Sequence, residues 1–262
     1  MGNVAMLKTG ITLSRLFEKT EPAARNRQIA DLRIGLSYVG IKLDNGVAGL
    51  AAVLPGSTAR GCTVLKEAGT YIGSPAVETL QYLVEAKDAL RRAIGVATAN
   101  ALVLPESGKT EDREATTYLN LQPGEKVAMV GLFAPLVERI RSTGATLTVV
   151  EKNPERLEVL SAEEKQKALK DCDVAIITAT TLLNGTFEET IGLLGRPRSV
   201  VLMGPSTPLV PEIFHDTPVT QLGGSIVADA AKALQVISEG GGTPALRHYL
   251  RFVNLLLPDK SR

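Results

Sequence analysis

Five segments of the chain place small, hydroxyl-bearing or amide-bearing residues directly after an apolar run. They are Val130-Gly131-Leu132-Phe133-Ala134-Pro135, Val150-Glu151-Lys152-Asn153-Pro154, Thr178-Ala179-Thr180-Thr181-Leu182-Leu183-Asn184-Gly185-Thr186, Met203-Gly204-Pro205-Ser206-Thr207-Pro208 and Leu222-Gly223-Gly224-Ser225. Glycine lets a ligand approach the backbone, and hydroxyls and amides offer donors and acceptors. The chemistry this suggests is non-covalent binding of a small polar molecule. Each residue type also belongs in ordinary turns and helix caps. The case for a binding edge is that five such segments converge.

More specific chemistries are weaker. Glu151 lies 20 residues after Gly131, the spacing at which an acid grips a ribose in dinucleotide folds. The full GxGxxG pattern is absent, and the bulky Phe133 opposes a close pyrophosphate. Gly108-Lys109-Thr110 matches only the tail of a phosphate loop, because Val103 stands where its first glycine is needed. The two histidines, His215 and His248, are 33 residues apart, without metal-ligand spacing. Glu151, Asp229 and carbonyls offer oxygen to a hard cation, although nothing in the pattern demands one. Cys62 stands near a glycine-rich loop, whereas Cys172, between two aspartates before an apolar run, reads as structural. Ser206 lacks a GxSxG context and a paired histidine, so Gly204-Pro205-Ser206-Thr207 reads as an anion-binding turn rather than a nucleophile. Asn100 interrupts an apolar stretch, as either a helix C-cap or a polar group aimed into a cleft. Tyr38 reads as packing, and Glu67 and Glu85 as surface charges.

Composition narrows the partners. In 262 residues, 29 Lys+Arg against 28 Asp+Glu give a net charge of +1, so no global field attracts nucleic acid or anionic membrane. Five Phe, five Tyr and no Trp leave little for base stacking. No apolar run approaches the ~18–20 residues of a membrane span. The first residues lack a secretory pattern, and two distant cysteines form no disulfide framework. The expectation is a cytoplasmic protein with reduced thiols.

The elements that must position these segments fall into two groups, divided near residues 105–125. Pro105–Lys109 is turn-rich, Glu111–Glu114 is charged, and Leu121–Glu125 leads into a strand. Before the division, the pattern predicts a helix through Ser14–Lys19. A strand run Arg33–Leu43 and a run Val47–Leu54 should form a hairpin around Asn45-Gly46. A helix from Ser74 as N-cap, with Pro75 in its first turn, and a helix over Asp88–Asn100 follow. After the division, strands are predicted at Lys126–Val130, Thr146–Val150, Asp173–Thr178, Ser199–Met203 and Val219–Leu222. Helices alternate with them at Pro135–Ser142, Ala162–Lys170 and Phe187–Leu194, and Val227–Ser238 and Pro244–Leu255 close as helices. This is α/β architecture: a parallel sheet covered on both faces, its strand C-termini on one rim, preceded by a smaller α+β domain. The predicted domains are 1–112 and 113–262.

The motif series Ile94-Gly95-Val96-Ala97-Thr98-Ala99-Asn100-Ala101, Val130-Gly131-Leu132-Phe133, Glu151-Lys152-Asn153-Pro154, Thr180-Thr181-Leu182-Leu183-Asn184-Gly185-Thr186 and Gly204-Pro205-Ser206-Thr207-Pro208 resembles the heavy-metal chelation family of bacteria and archaea. The resemblance covers nearly all of residues 10–240. It implies an N-terminal domain similar to the enolase N-terminal fold, joined to a Rossmann-like domain, with a site between them. It also implies binding of a heavy metal or metal-bearing small molecule, with a link to corrinoid metabolism. The matching positions are Asn100, Gly131, Phe133, Glu151, Asn153, Thr180, Thr181, Asn184, Gly185, Thr186, Gly204, Pro205, Ser206, Thr207 and Gly224.

Three functions remain open at this point. The first is a cleft that binds a small anionic metabolite or metal chelate. The second is an enzyme using an adenosine-type cosubstrate, either S-adenosylmethionine or a dinucleotide. The third is a non-catalytic homo-oligomeric scaffold that assembles through the exposed edge of the hairpin. The first reading requires the five segments to share a rim and face Asn100 across a gap.

Overall fold

Two sheets organise the described residues, one antiparallel with three strands and one mostly parallel with six. The structure is a computed structural model that describes residues 10–57, 63–103, 119–155 and 157–258. Cys62, the stretch from 105 to 114 and the division at 112/113 lie outside the described residues.

Helix α1 (Ile11–Ala24) precedes β1 (Ile29–Ile34), β2 (Tyr38–Leu43) and β3 (Ala48–Ala52). The expected continuous run Arg33–Leu43 is broken. Gly35 N–H donates to Tyr38 O at 2.8 Å, and the turn splits the run into β1 and β2. The Asn45-Gly46 hairpin forms as read: Asn45 Oδ1 accepts from Val47 N–H, and Gly46 takes φ +84°. Helices α2 (Ala76–Leu80), α3 (Tyr82–Glu85) and α4 (Ala89–Leu102) follow. Ser74 is not the cap of α2, because its hydroxyl donates back to Tyr71 O. Asp88 does cap α4, accepting from Arg91 N–H at 2.9 Å.

The antiparallel sheet is a filling between two helices. Gly49 on β3 lies against the backbone of α4. On the other face, Gly40 lies against Leu234 and Ile237 of α9 (Ala230–Ser238). Val39, Ile41 and Leu43 join the main core, while Tyr38 and Leu50 pack with Ala233, Leu234 and Ile237. Burial on both faces is why β2 shows little polar alternation. The faces of the hairpin are thereby packed inside the protein. On its β3 side, Ala52 N–H is bonded to Ser206.

The second sheet contains β4 (Lys126–Val130), β5 (Thr146–Val150), β6 (Val174–Thr178), β7 (Ser199–Met203), β8 (Gln221–Val227) and β9 (Leu250–Leu256). Its order is β5-β4-β6-β7-β8-β9, parallel except for β9. Helices α5 (Ala134–Ser142), α6 (Ala162–Lys170), α7 (Thr180–Leu183), α8 (Phe187–Gly192) and α10 (Thr243–Leu246) lie between strands. Alternate residues serve opposite faces. Val127, Met129, Val174, Ile176 and Val201 meet Leu136 and Ile140 of α5. Ala128, Val130, Ala175, Ile177, Val200 and Leu202 belong to the core that continues into the antiparallel unit.

Three expectations for the C-terminal region are corrected. The strand expected at Val219–Leu222 is β8, which starts at Gln221 and runs on to Val227. The segment Pro244–Leu255 is not one helix: α10 ends at Leu246, and Leu250–Leu256 forms β9 along β8. The open backbone edge of β8 takes that partner, and such antiparallel edges on parallel sheets are common. The helix expected from Val227 begins at Ala230, where Asp229 caps it by accepting from Lys232 N–H.

Polar contacts lock α1 onto the six-stranded unit. Glu188 Oε1 accepts from Thr12 N–H at 3.2 Å, supplying the cap that Gly10 cannot. Arg15 pairs with Asp216, and Lys19 with Glu212 at 3.3 Å. The Arg15 hydrogen bond holds the Asp216 carboxyl at about 2, below the ordinary 3.8. Arg198 holds Glu125 at about 2 in the same way, below 4.5. Both folded-state values are depressed, so both carboxylates favour the fold above pH ~4.5 and lose that contribution as pH falls toward 2. Thermal unfolding followed from pH 6 to 2 should show a falling midpoint below pH 4.5, and Asp216→Asn with Glu125→Gln should flatten that slope. An unchanged slope in the double variant refutes the assignment.

Candidate functional site

The parallel order places the strand C-termini on one rim. The connection from β4 leads outward to β5, and the chain then crosses back to β6, so the switch point lies between β4 and β6. Ligands of open α/β sheets bind in the crevice outside such a point.

Gly131 follows β4 with φ +82°, a conformation that favours glycine. A side chain there would also strike Thr178, with Cγ2 only 2.8 Å from the Cβ position. Thr178 Oγ1 lies 3.0 Å from Thr180 Oγ1, and both residues are half-buried. Gly204 follows β7 with φ +120°, and no atom stands within 4 Å of where its Cβ would be. Thr178 pairs with Met203 in the ladder, so Gly131, Thr178, Thr180 and Gly204 form a row along the rim. It combines small residues and reachable hydroxyls.

The other expected residues divide by what they touch. Glu151 is buried, and its carboxylate accepts N–H bonds from Leu132 (3.2 Å), Lys152 (2.8 Å) and Asn153 (3.1 Å). It ties the β4 and β5 turns together, and a ribose would have to compete with three amides. Asn153 Oδ1 accepts from Glu155 N–H. Phe133, half-buried, directs its N–H to Met129 Sδ at 3.4 Å. Thr181 is buried and donates to Thr178 O at 2.7 Å. Asn184 Oδ1 accepts from both N–H and Oγ1 of Thr186 across Gly185, which takes φ +71°. Pro205 is half-buried beside Gly204.

Ser206 and Thr207 are each 1% exposed and face the protein. Ser206 Oγ accepts from Ala52 N–H at 2.8 Å, and Thr207 Oγ1 donates to Gly223 O at 3.0 Å. Gly224 is not in a loop. It lies inside β8 against Leu209, one residue beyond the Met203–Gly223 pair.

The expected gap facing Asn100 is largely closed. Asn100 is neither a C-cap nor a free group: it sits within α4, whose C-cap is Val103, and its Nδ2 donates to Leu50 O at 3.0 Å. A crevice does remain beside it, lined by Ala48, Val103, Thr207, Leu209 and Ser225, with about 10 Å³ for water centres. That is room for about one water molecule. Among the described residues Ser225 Oγ is buried there without a hydrogen-bond partner, so the crevice is polar but too small for a metabolite.

The donors suit an oxygen-rich ligand better than a bare soft ion. Among the described residues, no group of three or more His, Cys, Asp or Glu side chains stands close enough to share a metal. Burial pushes the Cys172 thiol up to about 11, and it donates to Leu169 O. His215 Nδ1 is bonded to Glu212 O at 2.9 Å.

Sequence reasoning named the rim but overlooked Thr178 as an individual. Thr178 was legible as the one hydroxyl closing an apolar run.

Comparison with known proteins places this architecture. Family models described as "Putative heavy-metal chelation" match residues 17–103 (DUF4213) and 114–256 (DUF364). An uncharacterized protein of Methanocaldococcus jannaschii is 29% identical over 160 residues, 58% of this chain. The match spans 61% of that relative, less than two thirds of its length. A DUF364-family crystal structure of unknown function from Pyrococcus horikoshii superposes with a TM-score of 0.80 at 21% identity, covering 94% of this chain and all of the other. Another, from Desulfitobacterium hafniense, gives 0.75 at 22% identity over 93% of this chain and 99% of the other. At these identities the likeness shows the fold.

Proposed function

Since the chain belongs to the DUF364 family, described as "Putative heavy-metal chelation", we propose that its sheet rim binds a small oxygen-rich metabolite or a preformed metal chelate. The carrying observation is the row Gly131, Thr178, Thr180 and Gly204 at the switch point. Two glycines there adopt positive φ, and two hydroxyls stand 3.0 Å apart. A metal is cargo in this reading and arrives with its own oxygen ligands. The protein contributes hydroxyls, backbone amides and shape. In the same reading, residues 1–112 are an α+β unit similar to the enolase N-terminal domain, and 113–262 a Rossmann-like unit. The protein acts in the cytoplasm on a small molecule.

Calorimetry tests the proposal with citrate, ferric citrate, cobalt citrate, cadmium chloride, S-adenosylmethionine and NAD as probes. We expect binding of citrate or its chelates, weakened about tenfold in Thr180→Val, the magnitude of one lost hydrogen bond in a desolvated site. Ser206→Ala is a poor choice of variant, because that hydroxyl holds Ala52 rather than the rim. Equal binding by wild type and Thr180→Val, or no binding of citrate and its chelates, overturns the reading. Binding of only S-adenosylmethionine or NAD supports the adenosine alternative.

A further inference from the structure

We infer that Glu151 is a specificity-determining residue of this rim. Its carboxylate stands where a ligand's phosphate would be held at the β4 and β5 turns, so the rim admits oxygen-rich ligands without a phosphate there and turns away pyrophosphate and dinucleotides. The inference rests on the rim being the binding edge and adds the class of ligand that edge excludes.

In an open α/β sheet a phosphate is held by backbone N–H groups of the turn after a strand at the switch point, and by the helix N-terminus that follows. Here that turn runs from Gly131 into α5, and its amides are already committed. Gly131 N–H donates to Val150 O at 2.9 Å, Leu132 N–H to Glu151 Oε2 at 3.2 Å and Phe133 N–H to Met129 Sδ at 3.4 Å. Pro135 has no N–H, and Leu136 N–H turns back to Phe133 O at 2.9 Å. At most the Ala134 N–H is left, whereas a backbone nest for a phosphate needs several converging donors.

Glu151 is what closes the turn. It is 9% exposed, and its two oxygens divide the donors between them. Oε2 takes Leu132 N–H on the β4 side, while Oε1 takes Lys152 N–H at 2.8 Å and Asn153 N–H at 3.1 Å on the β5 side. A ligand phosphate would have to break these charge-assisted bonds of a buried carboxylate. The closed turn also borders the row of small residues directly. Leu132 adjoins Gly131, whose Cβ position lies 2.8 Å from Thr178 Cγ2. Beyond it the Thr178 and Thr180 hydroxyls stand 3.0 Å apart, and Gly204 has open space around its Cβ position. A ligand on this rim is therefore met by hydroxyls on the β6–β7 side and not by an amide nest on the β4 side.

The test measures thermal midpoints and calorimetric binding of the full-length protein with inorganic pyrophosphate, NAD and citrate, in wild type and in Glu151→Gln. Glutamine keeps an oxygen for the Lys152 and Asn153 amides but puts an NH2 group where Leu132 N–H had its acceptor, which leaves that N–H to an added anion. We expect pyrophosphate and NAD to bind wild type at least about tenfold more weakly than citrate. We also expect pyrophosphate, at about ten times its Kd, to raise the midpoint of Glu151→Gln by about 2–4 °C and to leave that of wild type unchanged. A residue that only held the two turns together would lose stability on substitution without gaining a response to pyrophosphate. Pyrophosphate or NAD bound by wild type as tightly as citrate overturns the inference whether or not the variant folds. A folded Glu151→Gln that ignores pyrophosphate overturns it too. No binding of citrate by wild type, with a pyrophosphate response gained in Glu151→Gln, overturns the rim reading and supports the assignment of Glu151.

Discussion

Gly49→Ala is expected to destabilise the protein by about 3–4 kcal/mol, at the upper end of overpacking effects, because the collision is with backbone. Gly49 lies in β3, opposite Ile41 of β2, and helix α4 crosses directly above it. A methyl group there would stand 2.7 Å from the carbonyl carbon of Asn100, and closer still to Ala101 N and Ala97 O. A flexible side chain can rotate away from such a contact, but a helix backbone cannot. The whole of α4 would have to lift from β3, stretching the Asn100–Leu50 hydrogen bond of 3.0 Å. Urea unfolding gives the free energy directly. Gly46→Ala is the control: Gly46 has open space around its Cβ position, so that variant tests only the cost of φ +84°. If Gly49→Ala costs no more than Gly46→Ala, the close approach of α4 to β3 is refuted.

The second large effect is expected at Arg92, the largest fully buried side chain. It projects from α4, and its head reaches Leu183 O at 3.4 Å and Ala86 O at 3.5 Å. Burial pulls the guanidinium below its ordinary value, while Glu188 and Asp88 oppose that pull. Arg92→Ala removes the cation from these acids and leaves a void, at an expected cost of about 3–5 kcal/mol. Arg92→Met keeps most of the stem volume and removes the need to desolvate a charge. It should cost less than about 2 kcal/mol, since apolar replacements of similar volume are often tolerated for buried ions. Chemical denaturation of the two variants separates the contributions. Equal losses would assign the stabilisation to the charged head, and losses below about 1 kcal/mol in both would show that the seam does not depend on Arg92. The position also bears on the rim, because Leu183 precedes the turn Asn184-Gly185-Thr186.

The parallel strands were the most legible part of the fold. β4, β5 and β7 occupy the residues read from their apolar runs, and β6 starts one residue later than read. Each run is short, β-branched and bounded by turn residues, so local pattern suffices. Helix α6 was equally legible, since Ser161 and Glu164 form a reciprocal capping box. The end of the chain was not. Pro244–Leu255 reads as helical by its apolar spacing, but β8 presents an unpaired edge that only the assembled sheet possesses. The division of Arg33–Leu43 was missed for a related reason. Two-sided burial between α4 and α9 obscures the alternation by which strand boundaries are read.

The candidate site divides in the same way. The order of apolar runs and turns dictates that Gly131, Thr178, Thr180 and Gly204 follow parallel strands and share a rim, because crossover handedness leaves little choice. Whether a hydroxyl on that rim meets solvent or protein is a separate matter. Ser206 and Thr180 look alike in the chain, yet Ser206 is consumed by Ala52, 154 residues away, while Thr180 stays half-exposed. Strand position is a local property of side-chain pattern and backbone sterics. A polar group's partner is a long-range one, decided only when the sheets and helices close around it.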